Sequence, residues 1–125
     1  MTLDDALGFE LTDVGAERAH AQVVIDDRHL QPFGVVHGGV YAALAETLAS
    51  HATAAAVMPE GYVALGSSNL TSFLRPVTAG TLRAEAERLH RGRTTWVWDV
   101  RFTDSDGRLC ATSRVTVAVR PLEGS

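Results

Sequence analysis

Residues 31–53, QPFGVVHGGVYAALAETLASHAT, hold the side chains best placed to do chemistry. Glu46 is the only acid there, and Ala42, Ala43, Leu44, Ala45, Leu48 and Ala49 flank it. A carboxylate buried without a partner among such residues is costly, so its presence points to work as a general base or a nucleophile. Eight residues earlier come His37, Gly38 and Gly39. If the glycine pair starts a helix, its unpaired N–H groups and partial positive charge form a receptor for developing negative charge. Gly38 suits that place, because with no Cβ it lets another group approach the backbone closely. Ser50 lies one turn beyond Glu46 and Thr53 at i+7, so the three are expected to share one narrow polar stripe. The plainer readings are a glycine pair that only permits a sharp turn into a helix, and an acid that has a satisfied partner or faces solvent at a gap in a sheet.

These residues need elements to hold them. From Gly38 the chain carries no proline until Pro59 and almost no charge, which predicts a long helix that is buried on nearly every side. Ahead of it, residues 6–11 could begin a helix or a strand, and residues 14–26 alternate, with Ala19, Ala21, Val23 and Ile25 on the inner face of one strand. A loop covers residues 27–36. Beyond Gly61 the period changes to two through residues 62–74, 81–89, 94–102 and 109–119. The links at residues 90–93 and 104–107 are short and turn-forming, so the last three strands should form an antiparallel meander. One strand cannot cover a helix that is apolar all round. The expected fold is therefore α+β, a curled antiparallel sheet wrapped around one long central helix, with a second subunit covering any face left open.

The 125 residues are read as a single domain, residues 1–125. With 46% hydrophobic and 21% charged residues the composition is that of an ordinary globular chain, and a net charge of −4 argues against nucleic-acid binding. Cys110 is the single cysteine, so an intrachain disulfide and a multi-cysteine zinc site are both excluded. It lies in a strand-like run and reads as a small buried residue. No metal is expected, because no HExxH or comparable spacing is present and His20, His29, His51 and His90 are scattered. Neither a signal peptide nor a bilayer-length apolar run is visible, so a soluble cytoplasmic protein is expected.

The spacing Gln31-x5-His37-Gly38-Gly39-x6-Glu46-x3-Ser50, the segment Arg75-Pro76-Val77 and the run Gly107-Arg108-Leu109-Cys110 resemble the hotdog-fold acyl-CoA thioesterases. The branch resembled is that of the phenylacetate-pathway, 4-hydroxybenzoyl-CoA and 1,4-dihydroxy-2-naphthoyl-CoA thioesterases, which use a helix glutamate. The resemblance covers roughly residues 10–120. It implies that Glu46 is the catalytic carboxylate, that the Gly38 N–H polarises the thioester carbonyl, that Gln31 and His37 orient, and that Ser50 helps to hold the water or the carboxylate. It implies coenzyme A contacts at Arg75 and at the turn Arg91, Gly92, Arg93 and Thr94. Coenzyme A is then part of the substrate, and no separate cofactor is expected.

Geometry adds an expectation about assembly. Eight residues of helix separate Gly38 from Glu46 by about 12 Å, too far for one thioester to touch both. Two helices lying antiparallel across a two-fold axis would bring the start of one to the middle of the other. The resemblance implies the same homodimer, and a dimer of dimers stays open. The expected activity is hydrolysis of an aromatic or medium-chain acyl-CoA. A hotdog hydratase or dehydratase and a non-catalytic acyl-CoA-binding module are the alternatives. Leu30, Phe33, Val40, Tyr41, Met58 and Phe73 are the candidates for lining the acyl pocket.

Overall fold

Alternation along the chain builds the sheet. The computed structural model describes residues 1–122. A short helix, α1 (Leu3–Leu7), precedes strands β1 (Glu10–Val14) and β2 (Arg18–Val24), after which comes the long helix α2 (Gly38–Val57). Four strands follow: β3 (Tyr62–Phe73), β4 (Thr81–Arg91), β5 (Thr95–Thr103) and β6 (Leu109–Pro121). All pairings are antiparallel, in the order β1-β2-β4-β5-β6-β3. The expected meander is β4-β5-β6, and α2 packs against strands from β1 to β6.

Inward positions follow the period of two. Ala19, Ala21 and Val23 of β2 are buried, as are Leu82, Ala84 and Ala86 of β4, Trp96, Trp98, Val100 and Phe102 of β5, and Val115, Val117 and Val119 of β6. Burying a side chain of valine to phenylalanine size contributes about 1.5–3 kcal/mol over leaving it exposed, so this layer fixes which face of the sheet meets α2. Trp96 and Trp98 belong to that core, and Cys110 is buried beside it.

The N-terminal part differs from the expectation of one strand over residues 14–26. Gly15 instead turns the chain, its N–H donating to the Arg18 carbonyl at 2.9 Å, and the result is the hairpin β1–β2. Alternation continues through a tight turn, so it could not reveal the break. Helix α2 ends where Pro59 requires, in a 3₁₀ turn (Met58–Glu60) closed by Gly61 at φ 89°.

The helix is not covered on nearly every side. Val40, Tyr41, Leu44, Ala45, Leu48, Ala49, Ala52, Thr53 and Val57 are buried, while Glu46, His51 and Ala55 are exposed. Part of the open face carries α1, where Thr47 Oγ1 donates to Asp4 Oδ1 at 2.7 Å. Beside the helix runs β3, an edge strand that among the described residues is bonded to β6 on one side and to no strand on the other.

Candidate functional site

The approach to α2 is tied by backbone and by one histidine. His29 is fully buried, its Nε2 donating to the Leu7 carbonyl at 2.7 Å and its Nδ1 accepting the Asp26 N–H at 3.0 Å. Its carbonyl accepts the His37 N–H at 2.8 Å. His29 is thus the knot that joins α1, the preceding loop and the start of α2. Its sequence offered no signal beyond an isolated histidine. Gln31 shapes the same loop: its side-chain oxygen accepts the Phe33 N–H, and its backbone N–H donates to Val35 at 2.9 Å.

His37 is the N-cap of α2, with Nδ1 accepting the Gly39 N–H at 2.8 Å. That satisfies one of the helix's orphan donors and makes Nδ1 the unprotonated nitrogen, so His37 orients the glycine pair. The Gly38 N–H bonds to no group among the described residues. Beside it opens a cleft of about 360 Å³ lined by Val35, Val36, Tyr41, Phe73, Leu74 and Pro76, together with Arg75. Burial raises the Tyr41 hydroxyl well above the ordinary phenol range, and the neighbouring Cys110 adds to the effect. Cys110 is likewise raised by burial, so neither group is an ionised nucleophile near neutral pH.

Glu46 stands on the next part of the helix, and here the expectation of a buried acid is corrected. Its side chain is exposed and lies over Gly66 of β3, where an added Cβ would come 3.1 Å from Glu46 Cγ and 3.3 Å from Oε2. The reason is local. Gly66 offers no side chain, so the carboxylate can lie close on the strand, where the register of β3 against β6 shifts between Gly66 and Ser68. Glu46 makes no hydrogen bond or ion pair among the described residues. Ser50 Oγ, one turn on, is buried with no hydrogen-bond partner among the described residues. Asn69 pins the helix between Gly38 and Glu46, its Nδ2 donating to the Ala42 carbonyl at 2.9 Å and its Oδ1 accepting from Thr71 at 2.8 Å. Gly66 and Asn69 are functional candidates that the sequence reading missed, since each matters only through the helix turn above it.

Thr53 does not join Glu46 and Ser50. It is fully buried, its Oγ1 donating to the Ala49 carbonyl at 2.8 Å and accepting from Trp98 Nε1 at 2.9 Å. The helix face that meets β3 at Glu46 meets β5 at Thr53, so one stripe on the wheel runs through two environments.

The turn Arg91, Gly92, Arg93 and Thr94 lies at the other end of α2, where its first three residues line a cleft with Val57, Glu60 and Trp96. Gly92 fits a tight turn, its N–H donating to the Thr95 carbonyl at 2.8 Å, and the Thr94 carbonyl accepts from the Val119 N–H and Arg120 Nη1. Arg91 is held over the Trp96 ring at 4.8 Å and lies 3.9 Å from Glu60, whereas Arg93 makes no ion pair among the described residues. Twenty residues of helix, about 30 Å, separate this turn from the cleft that holds Arg75. One chain therefore gathers Gln31, His37, Gly38 and Arg75 at one end, Glu46 and Ser50 along the open middle, and the arginine turn at the far end. Of the pocket candidates, Tyr41 and Phe73 border the Gly38 cleft. Met58 is at the opposite end of α2, and Val40 is in the core.

Comparison with known proteins bears on what such a helix does. Residues 33–111 match the thioesterase superfamily. The chain is 40% identical over 118 residues to the proofreading thioesterase EntH of Cronobacter turicensis, covering 94% of this chain and 85% of that one. It is 36% identical over 120 residues to the 1,4-dihydroxy-2-naphthoyl-CoA hydrolase of Listeria monocytogenes, covering 96% and 97%. A crystal structure of a mutant thioesterase from Pseudomonas aeruginosa superposes with a TM-score of 0.92 at 36% identity, covering 97% of this chain and 87% of that one.

Proposed function

The chain belongs to the thioesterase superfamily, with the hotdog fold and thioester hydrolysis as its chemistry, and from that premise we propose that it hydrolyses an aromatic or medium-chain acyl-CoA. The Gly38 N–H receives the carbonyl oxygen as negative charge develops, held in place by the His37 cap and the Gln31 loop. Such a donor is worth a factor of about 10² to 10³ in rate. Glu46 acts on the other side of the carbonyl, as general base toward water or as nucleophile, with Ser50 Oγ as the hydroxyl beside it.

The observation that carries this reading is that Glu46 and the buried Ser50 Oγ have no partner among the described residues and stand near β3, whose outer edge pairs with no described strand. That edge exposes Leu65 at 61% and Leu70 at 73%. Exposed apolar side chains on an unpaired strand favour pairing with a second strand. In this reading two copies pair β3 to β3 across a two-fold axis, and each Gly38 meets the other copy's Glu46. The same antiparallel arrangement carries the Arg91–Arg93 turn of one copy toward the Arg75 end of its mate, where coenzyme A phosphates need cations.

Thiol release from benzoyl-, phenylacetyl-, dihydroxynaphthoyl-, acetyl-, hexanoyl- and palmitoyl-CoA tests the assignment. Wild type should cleave some of them, and Glu46→Ala should be slower by about 10² to 10⁴ while folded as before. Esters that bind without thiol release would leave a binding module in place of an enzyme.

A further inference from the structure

The Phe73 ring packs against one side of Gly38, so closely that a Cβ there would lie 2.7 Å from Phe73 Cζ. The same ring walls the cleft beside Gly38. Behind it stands Tyr41, centroids 5.7 Å apart and tilted by 60°, and behind Tyr41 stands Phe102, edge-on at 5.3 Å. These three rings differ in freedom. Tyr41 and Phe102 are buried and Tyr41 faces the Cys110 thiol, whereas Phe73 is 59% exposed at the end of the edge strand. Displacing the inner two would open a void in close-packed core, while Phe73 can move by a change of rotamer.

We propose that Phe73 is the specificity-determining residue of the acyl pocket, selecting flat aromatic acyl groups over saturated rings of the same carbon number. This rests on the reading that the thioester docks at Gly38. A carbonyl oxygen at the Gly38 N–H places the atoms bonded to that carbonyl against the Phe73 ring. A planar aryl group slides beside it and gains an edge-to-face or offset contact, worth about 0.5–1.5 kcal/mol. A puckered ring of equal size forces Phe73 aside without that return.

The test compares kcat/KM for benzoyl-CoA and cyclohexanecarbonyl-CoA in wild type, Phe73→Ala and Phe73→Tyr. The benzoyl preference should fall by about twofold to twelvefold in Phe73→Ala. It should be kept in Phe73→Tyr, which retains the ring. A loss of stability or of assembly would lower both substrates together and leave the ratio unmoved. An unchanged ratio in an active Phe73→Ala overturns the proposal and leaves the hydrolase reading standing. A wild type that releases thiol from no ester overturns both. If Phe73→Ala misfolds, Phe73→Leu decides on the same ratio, since it keeps apolar bulk and loses the ring.

Discussion

The start of α2 and its middle are built on opposite plans. At the start, the chain's own groups frame one open donor: His37 caps Gly39, the His29 carbonyl holds the His37 N–H and the Gln31 side chain closes on Phe33, while the Gly38 N–H has no partner among the described residues. In the middle, Glu46 and Ser50 Oγ have no partner among the described residues, and the strand beside them has a bare edge. Folding of one copy thus satisfies the polar groups around the helix start further than those along its middle. Around Gly38 folding alone sets the backbone, whereas around Glu46 and Ser50 the single copy supplies no partner among the described residues.

Removing the open end's carboxylate has the largest expected effect, the loss of about 10² to 10⁴ in rate already assigned to Glu46→Ala. Because that carboxylate has no partner to orphan, the melting temperature should hold or rise, which calorimetry would check. Gly38→Ala should cost up to about 10² to 10³, since the added methyl collides with the Phe73 ring and relieving that clash moves the Gly38 N–H out of line as a donor. Co-expressing Glu46→Ala with Gly38→Ala tests whether one site draws on two copies. In mixed dimers one composite site is intact, so about a quarter of wild-type activity should return. No recovery, with mixed dimers verified by mass, would place Gly38 and Glu46 in the same copy's site.

A smaller effect is expected at the floor beneath Glu46. Gly66→Ala puts a methyl about 3 Å from the Glu46 side chain, which must shift; the rate should fall about tenfold, with KM moving less than kcat. Equal rates in Gly66→Ala and wild type would show that Glu46 works from another rotamer.

The smallest effect lies away from both regions. Asp104 closes the β5–β6 turn, and the backbone N–H of Arg108, with that of Asp106, holds its carboxyl below the usual range. A depressed acid stabilises the fold above the pH at which the unfolded aspartate ionises, about 3.9, and that contribution is lost as pH falls through the folded value. The Tm gap between wild type and Asp104→Asn should be widest near neutral pH and close below about pH 4, with thiol release unchanged at neutral pH.

The sequence by itself determined the limits of α2, because Gly38 and Pro59 constrain the backbone wherever they stand, and the inward faces of β2, β4, β5 and β6, because a period of two leaves no choice of face. It also singled out Gln31, His37, Gly38, Glu46 and Ser50, since an isolated acid and a glycine pair stand out in an alanine-rich run. The remaining contacts came from how the sheet packs on the helix. Tertiary structure split residues 14–26 at Gly15, set Thr53 against Trp98 instead of beside Glu46, laid Phe73 over Gly38 and put Gly66 under the carboxylate. Periodicity describes a residue's own element, whereas these contacts depend on which strand crosses which turn of the helix, and that is set by the register and curl of the whole sheet.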